Sequence, residues 1–170
     1  MFTFRSIAAA VVVSLTCAGA SGQSILSNPD WRESSVGSPP AFDVKRLLFI
    51  ESPVSSSLKF GVDPATLSIT PEGVVRYVMV ALGQDGAQNV LYEGIRCNTA
   101  EYRLYAMHSP EKGWTPSGNP EWQPLKGSAA TRHGLLLALA AVCTGRTPTT
   151  PVGAIVNALR TGVAPGTNNY

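Results

Sequence analysis

Val74-Val75-Arg76-Tyr77-Val78-Met79-Val80-Ala81-Leu82, then Gln84-Asp85-Gly86, then Asn89-Val90-Leu91-Tyr92-Glu93-Gly94-Ile95-Arg96-Cys97, is the stretch that decides the fold. Its first part is rich in β-branched and apolar residues, which suit a pleated surface. Asp85-Gly86 is a strong hairpin turn, because glycine accepts a positive φ without steric cost. The last part returns as the partner strand. Asn98-Thr99 turns the chain again, and Glu101 to His108 supplies a third strand. The expectation is an antiparallel β-meander.

With Asp85 and Gly86 in the two central turn positions, Val78 stands opposite Glu93 and Arg76 lies diagonal to Glu93 on one face. That face also carries Val74, Val80, Leu82, Leu91 and Ile95. The other face gathers Tyr77, Tyr92, Arg96, Arg103 and Tyr105, with Glu101 opposite Arg96. The period of two makes this split sensitive to register. A slip of one residue exchanges the faces of one strand relative to its neighbour.

Working outward, Ala129 to Cys143 reads as a helix, apolar nearly all round from Leu135, and such a helix is buried. It is expected to cover the aliphatic face of the meander and to end near Gly145. Thr150-Pro151 pairs a cap residue with a proline in the first turn of a second, amphipathic helix. In it Val152, Ile155, Val156 and Leu159 share a face, and Gly162 is a natural stop. Upstream, Arg46 to Ile50 and Leu58 to Val62 read as short strands, with a turn at Asp63-Pro64. Glu111 to Leu125 reads as irregular, with Trp114 and Trp122 among prolines. The fold class is α+β: an antiparallel meander covered by a buried helix, with a second amphipathic helix at the C-terminal side.

The first residues place the chain. Arg5 precedes an uncharged apolar run, Ile7 to Leu15, and the segment closes as Ala18-Gly19-Ala20. A basic start, a short apolar core and an A-x-A ending make a cleavable secretory signal peptide. The run is shorter than the roughly 20 apolar residues that span a bilayer. The expected organisation is a signal peptide over 1–20, an extended Ser/Pro/Gly-rich arm over 21–45 anchored by Trp31, one α+β domain over 46–162, and a flexible tail over 163–170. Export implies an oxidising compartment. The charge is nearly balanced, with 13 Lys+Arg against 11 Asp+Glu, which disfavours nucleic acid as a partner. No later segment is long enough to be transmembrane.

Cys17 lies within the signal. Ser14 and Thr16 before it do not make a lipoprotein motif, so lipid anchoring is not expected. The mature chain then carries Cys97 and Cys143, 46 positions apart. Two thiols in an oxidising compartment pair as a structural disulfide; the alternative is a reactive pair, for which the usual C-x-x-C is absent.

Catalytic machinery is not legible. There is no G-x-S-x-G elbow, no phosphate-binding glycine loop and no spaced-acid calcium loop. His108 and His133 have no ligand partner close in sequence and read as edge or surface residues; no metal or cofactor is expected. Arg76 and Glu93, if both internal, must form an ion pair, which can be structural or can orient a ligand. The Tyr77, Tyr92, Arg96, Arg103, Tyr105 face could bind an anionic ligand, a glycan or a protein segment. It could equally pack beneath the arm. Trp114 and Trp122 could stack on sugars or plug their loop onto the core.

Three strings carry a resemblance: Gly73-Val74-Val75-Arg76-Tyr77, Tyr92-Glu93-Gly94-Ile95-Arg96-Cys97 and Glu101-Tyr102-Arg103-Leu104-Tyr105-Ala106. They resemble the motifs of the cryptic neisserial protein-like family, small exported envelope proteins of Gram-negative bacteria. The similarity runs from about Trp31 to Leu159, and Trp114 and Cys143 fall where that pattern puts them. The resemblance implies a periplasmic or envelope location and supplies no catalytic residues. The leading functional expectation is a non-catalytic binding module for an envelope protein or cell-wall component. The alternative is an unrecognised enzyme or small-ligand binder using Arg76 and Glu93.

Overall fold

A computed structural model describes residues 30–51, 57–119, 121–128 and 131–166. The expected signal peptide, Cys17, the first part of the arm and the last residues of the tail lie outside the described residues. An antiparallel sheet dominates the rest, with strands β1 (Leu48–Ile50), β2 (Leu58–Val62), β3 (Ser68–Ile69), β4 (Val74–Gly83), β5 (Gln88–Arg96), β6 (Glu101–Ser109), β7 (Gly113–Pro116) and β8 (Gln123–Pro124). The order across the sheet is β1-β2-β4-β5-β6-β7; β3 also pairs with β4, and β8 with β6. The meander β4-β5-β6 is therefore the centre of an α+β fold, as expected. The region around Trp114 and Trp122, expected to be irregular, contributes two short strands, β7 and β8, to the sheet.

Every residue of β4 from Val74 to Ala81 is buried, on both sides of the strand. Helices cover one face and residues 31–42 cover the other, and this double cover explains an apolar run without alternation. On the helix side, Val75, Met79 and Ile95 pack with Leu137, Ala141, Val142 and Ile155. On the arm side, Val78, Val80, Val90, Tyr92 and Ala106 pack with Val36, Phe42 and Trp114. Each fully buried aliphatic side chain contributes roughly 1.5–3 kcal/mol.

The β4–β5 register differs from the expected one by a single residue. Tyr77, not Val78, stands opposite Glu93, and Leu82 pairs with Gln88. The Gly83 N–H donates to Ala87 O at 2.8 Å and the Gly86 N–H to Gly83 O at 3.1 Å. The turn is thus a loop of Gln84, Asp85 and Gly86, with Gly86 at φ +84°. Asp85 accepts from the Ala87 N–H at 3.1 Å and braces the longer turn. Gly86 needs positive φ in either loop, so the dipeptide does not discriminate between them. One extra loop residue moves the whole side-chain set of β4 to the opposite face.

The buried helix is shorter than Ala129 to Cys143. Residues 129 and 130 lie outside the described residues; α1 spans Arg132–Leu137 and continues as a π-helical turn, Ala138–Val142. Cys143 lies beyond the helix, in a two-residue strand, β9 (Cys143–Thr144), paired with β10 (Thr147–Pro148). Helix α2 (Val152–Thr161) presents Ile155 fully buried, with Val152, Val156 and Leu159 packed on the same core. It stops at Gly162, whose φ of +68° makes the left-handed cap. Pro151 occupies the N-cap without a side-chain hydrogen bond, so Thr150 does not cap. Cys97 and Cys143 form the disulfide, Cα–Cα 5.7 Å, tying the end of β5 to the end of the helical segment.

Candidate functional site

The register decides which side chains meet. Arg76, Tyr92, Gly94 and Arg96 share the arm-side face, and Arg103 lies opposite Gly94 on β6. Arg96 stands opposite Glu101, as expected, and their side chains pair at 3.3 Å. A bulge between Tyr92 and Glu93 pairs Tyr92 with Ala106 but Glu93 with Leu104, leaving Tyr105 as the extra residue. It is aimed across Gly94: a Cβ there would lie 2.9 Å from Tyr105 Cε2. Four of the five expected face residues, Tyr92, Arg96, Arg103 and Tyr105, therefore come together. Tyr77 does not; it is fully buried on the helix side.

Arg76 and Glu93 are not an ion pair. They lie on opposite faces, and each has another partner. Glu33 of the arm holds Arg76 Nη2 at 2.9 Å and Arg103 Nη1 at 2.7 Å, and accepts a hydrogen bond from the Tyr105 hydroxyl. Burial drives the Tyr105 pKa up, and the Glu33 charge adds to the rise. Burial works against the Arg76 cation, but Glu33 and Tyr105 together outweigh it and the pKa is raised. The Arg96 guanidinium stacks 3.6 Å from the ring centre of Trp31, a cation–π contact. Trp31 meets Trp122 edge to face at 6.0 Å. The arm is thus an extended segment in which Trp31 and Glu33 point inward while Asp30, Arg32 and Ser34 are exposed.

A second latch is Glu72, just before β4. It accepts from the Ser34 N–H at 2.9 Å and lies 3.8 Å from Arg76. Burial pushes the Glu72 carboxyl up, but the hydrogen bonds from the Ser34 hydroxyl and N–H prevail and hold its pKa at about 2, against an ordinary 4.5. A depressed carboxylate stabilises above its unfolded pKa and loses that contribution as pH falls through the folded one. Hydrogen-exchange protection of residues 31–36 is therefore expected to drop between about pH 4.5 and pH 2, before that of β4 and β5. Glu72→Gln should abolish this pH step. An arm equally protected at pH 5 and pH 2 would contradict the latch.

Beside the latch opens a groove of about 310 Å³. Arm residues Val36, Gly37 and Pro39 form one wall; Tyr92, Arg103, Tyr105, Trp114 and Pro116 are among those that form the floor and the other wall. Phe42 and His108 pack edge to face on Trp114 and on each other, with centroids 5.1–5.8 Å apart. The aromatic surface suits an apolar or sugar body. Arg103, a quarter of whose side chain is exposed, lines the groove with its guanidinium paired to Glu33 at 2.7 Å. Trp114 thus lines a cavity, while Trp122 packs between Trp31 and Tyr105.

The other face holds a polar cluster that sequence reasoning missed. Glu93, with no exposed surface, accepts from the Tyr102 hydroxyl at 2.7 Å and bonds His133 Nε2 at 2.8 Å. His133 is stacked on Phe60 at 5.2 Å and is buried, not a surface residue. Burial works against its charged form, but the Glu93 carboxylate prevails and raises its pKa. Gly134 lets the helix approach: a Cβ there would sit 3.1 Å from Tyr102 Cδ2. Among the described residues, the buried Glu93 Oε2 and Tyr77 hydroxyl have no hydrogen-bond partner. Glu93 and His133 are 40 residues apart in the chain, so no local motif could have revealed the pair. Among the described residues, no group of three or more His, Cys, Asp or Glu side chains is placed to hold a metal ion, and no helix is long and apolar enough to cross a membrane.

Neither curated proteins nor solved structures provide a match to this chain. A family model does, over residues 26–160, a span that takes in the arm from before Trp31, the sheet and nearly all of α2. The chain belongs to the CNP1-like family.

Proposed function

We propose that the protein is an exported, envelope-located binding module, without catalysis of its own, whose ligand lies in the groove between the arm and β5–β7. The observation that carries this reading is the joining of Tyr92, Trp114 and Tyr105 with a partly exposed Arg103 in one cavity of about 310 Å³. Pockets for small ligands run from roughly 300 to 1,000 Å³, so this one suits a sugar unit or one or two side chains of a protein. An anionic group on that ligand would meet Arg103. The apolar run after Arg5, closed by Ala18-Gly19-Ala20, supports export, and a disulfide fits an oxidising compartment. Glu93 favours no chemistry: it is sealed beneath the helix with its charge engaged by His133.

Titration of ¹⁵N-labelled protein with a soluble muropeptide mixture, and separately with a short carboxylate-terminated peptide, tests the reading. Amide shifts are expected at Val36, Tyr92, Arg103 to Ala106 and Trp114, with one of the two probes. Shifts centred on α2, or none with either probe, would overturn it.

A further inference from the structure

Arg76, Arg103 and Tyr105 converge on one carboxylate, and that carboxylate belongs to the chain's own arm. Two guanidinium groups and a hydroxyl around a single carboxyl are a recognition site, since charge-assisted bonds of this kind are directional and strong. The site is strongly desolvated: the Arg76 and Glu33 side chains are each 8% exposed. It is also unsaturated. Among the described residues the buried Nε–H groups of Arg76, Arg96 and Arg103 meet no acceptor, so the face has donor capacity that the described arm does not use. Arg103 belongs to both places, holding Glu33 at 2.7 Å and lining the groove.

We propose that Arg76, Arg103 and Tyr105 form a carboxylate receptor, filled here by Glu33, and that the groove's partner is an extended peptide that lies along the groove and puts its own carboxylate on this receptor in place of Glu33. The arm itself is the template for that partner. It approaches as an extended chain, puts an aromatic ring on Arg96 and a carboxylate two residues later on the receptor, and then walls the groove with Val36 and Pro39. An extended chain sends alternate side chains to the same side, which is how Trp31 and Glu33 both reach the sheet face. This inference rests on the groove being the binding site.

The test uses the full chain and a fluorescein-labelled peptide with the sequence of residues 30–42. In the wild type the tethered Glu33 competes at high effective concentration. Glu33→Gln should therefore bind the peptide at least tenfold more tightly, and a peptide carrying Gln in place of its Glu should lose that gain. No gain in a Glu33→Gln protein that melts cooperatively and carries its disulfide would overturn the proposal, as would equal binding of the Gln peptide. Should Glu33→Gln fail to fold, Trp31→Ala loosens the same arm while keeping Glu33 to neutralise Arg76. Adding Trp114→Ala separates the two ideas. Carboxylate-dependent binding untouched by Trp114→Ala keeps the receptor and removes the groove. Binding that needs Trp114 but not the carboxylate keeps the groove and removes the receptor.

Discussion

Glu93→Ala is expected to lower the unfolding free energy by about 3–5 kcal/mol, the cost of removing one partner from a buried charged pair. For a domain of this size that is a fall in Tm of roughly 10 °C or more. The reason is local: Glu93 has no exposed surface, Tyr102 and His133 bond to it, Tyr77 stands opposite it on β4, and all three neighbours are buried. Glu93→Gln, which keeps the shape and an acceptor, should cost less. The Glu93→Ala and His133→Ala losses should fall well short of additive, because the two groups act as a unit. Had Glu93 been a surface partner of Arg76, its removal would cost at most about 1 kcal/mol. The pH dependence has a definite sign. The His133 pKa is raised in the folded state, so the stabilisation is complete below the ordinary value of 6.5 and is lost as pH climbs through the folded value. Urea unfolding at pH 6 and pH 9 checks both points. A Glu93→Ala variant within 1 kcal/mol of the wild type would contradict the buried cluster.

Removal of the disulfide carries the other large effect. Cys97 and Cys143 are 46 residues apart, and closing a loop of that length is worth roughly 4 kcal/mol of unfolded-chain entropy. The paired replacement Cys97→Ala with Cys143→Ala is therefore expected to lower Tm by about 10 °C. The loss should concentrate in the π-helical turn Ala138–Val142, because the bridge is its covalent tie to the sheet. Hydrogen exchange should show that turn opening while β4 and β5 stay protected. A double variant as stable as the wild type would mean that the Val142–Ile95 core alone holds the helix down.

The meander was legible because its signals are local: a run of β-branched residues, an Asp-Gly turn, a second turn at Asn98-Thr99. The identity of its faces was not. Asp85-Gly86 serves a two-residue or a three-residue loop equally well, and only the hydrogen bond between Gly83 and Ala87 distinguishes them. That one residue moved Tyr77 off the Tyr/Arg face and put Arg76 on it. Tyr92, Arg96, Arg103 and Tyr105 stayed together because they lie on β5 and β6, and a bulge kept both Tyr105 and Ala106 on the arm side. The arm's part was half legible. Trp31 as an anchor follows from a lone tryptophan among polar residues, whereas Glu33 gave no sign, being one acid among several on an exposed-looking stretch. His133 was misjudged for the same reason: its partner is brought in by tertiary packing, not by spacing.

We propose that this protein works through the arm-side groove and not through its charged core. In-cell photocrosslinking tests it most directly, with a probe at Pro116, exposed on the groove's rim, and a control probe at Arg160, exposed on α2. A discrete adduct from Pro116 that is lost with Trp114→Ala and absent from Arg160 is the result expected here. Adducts from Arg160 alone, or a Pro116 adduct indifferent to Trp114→Ala, would contradict it.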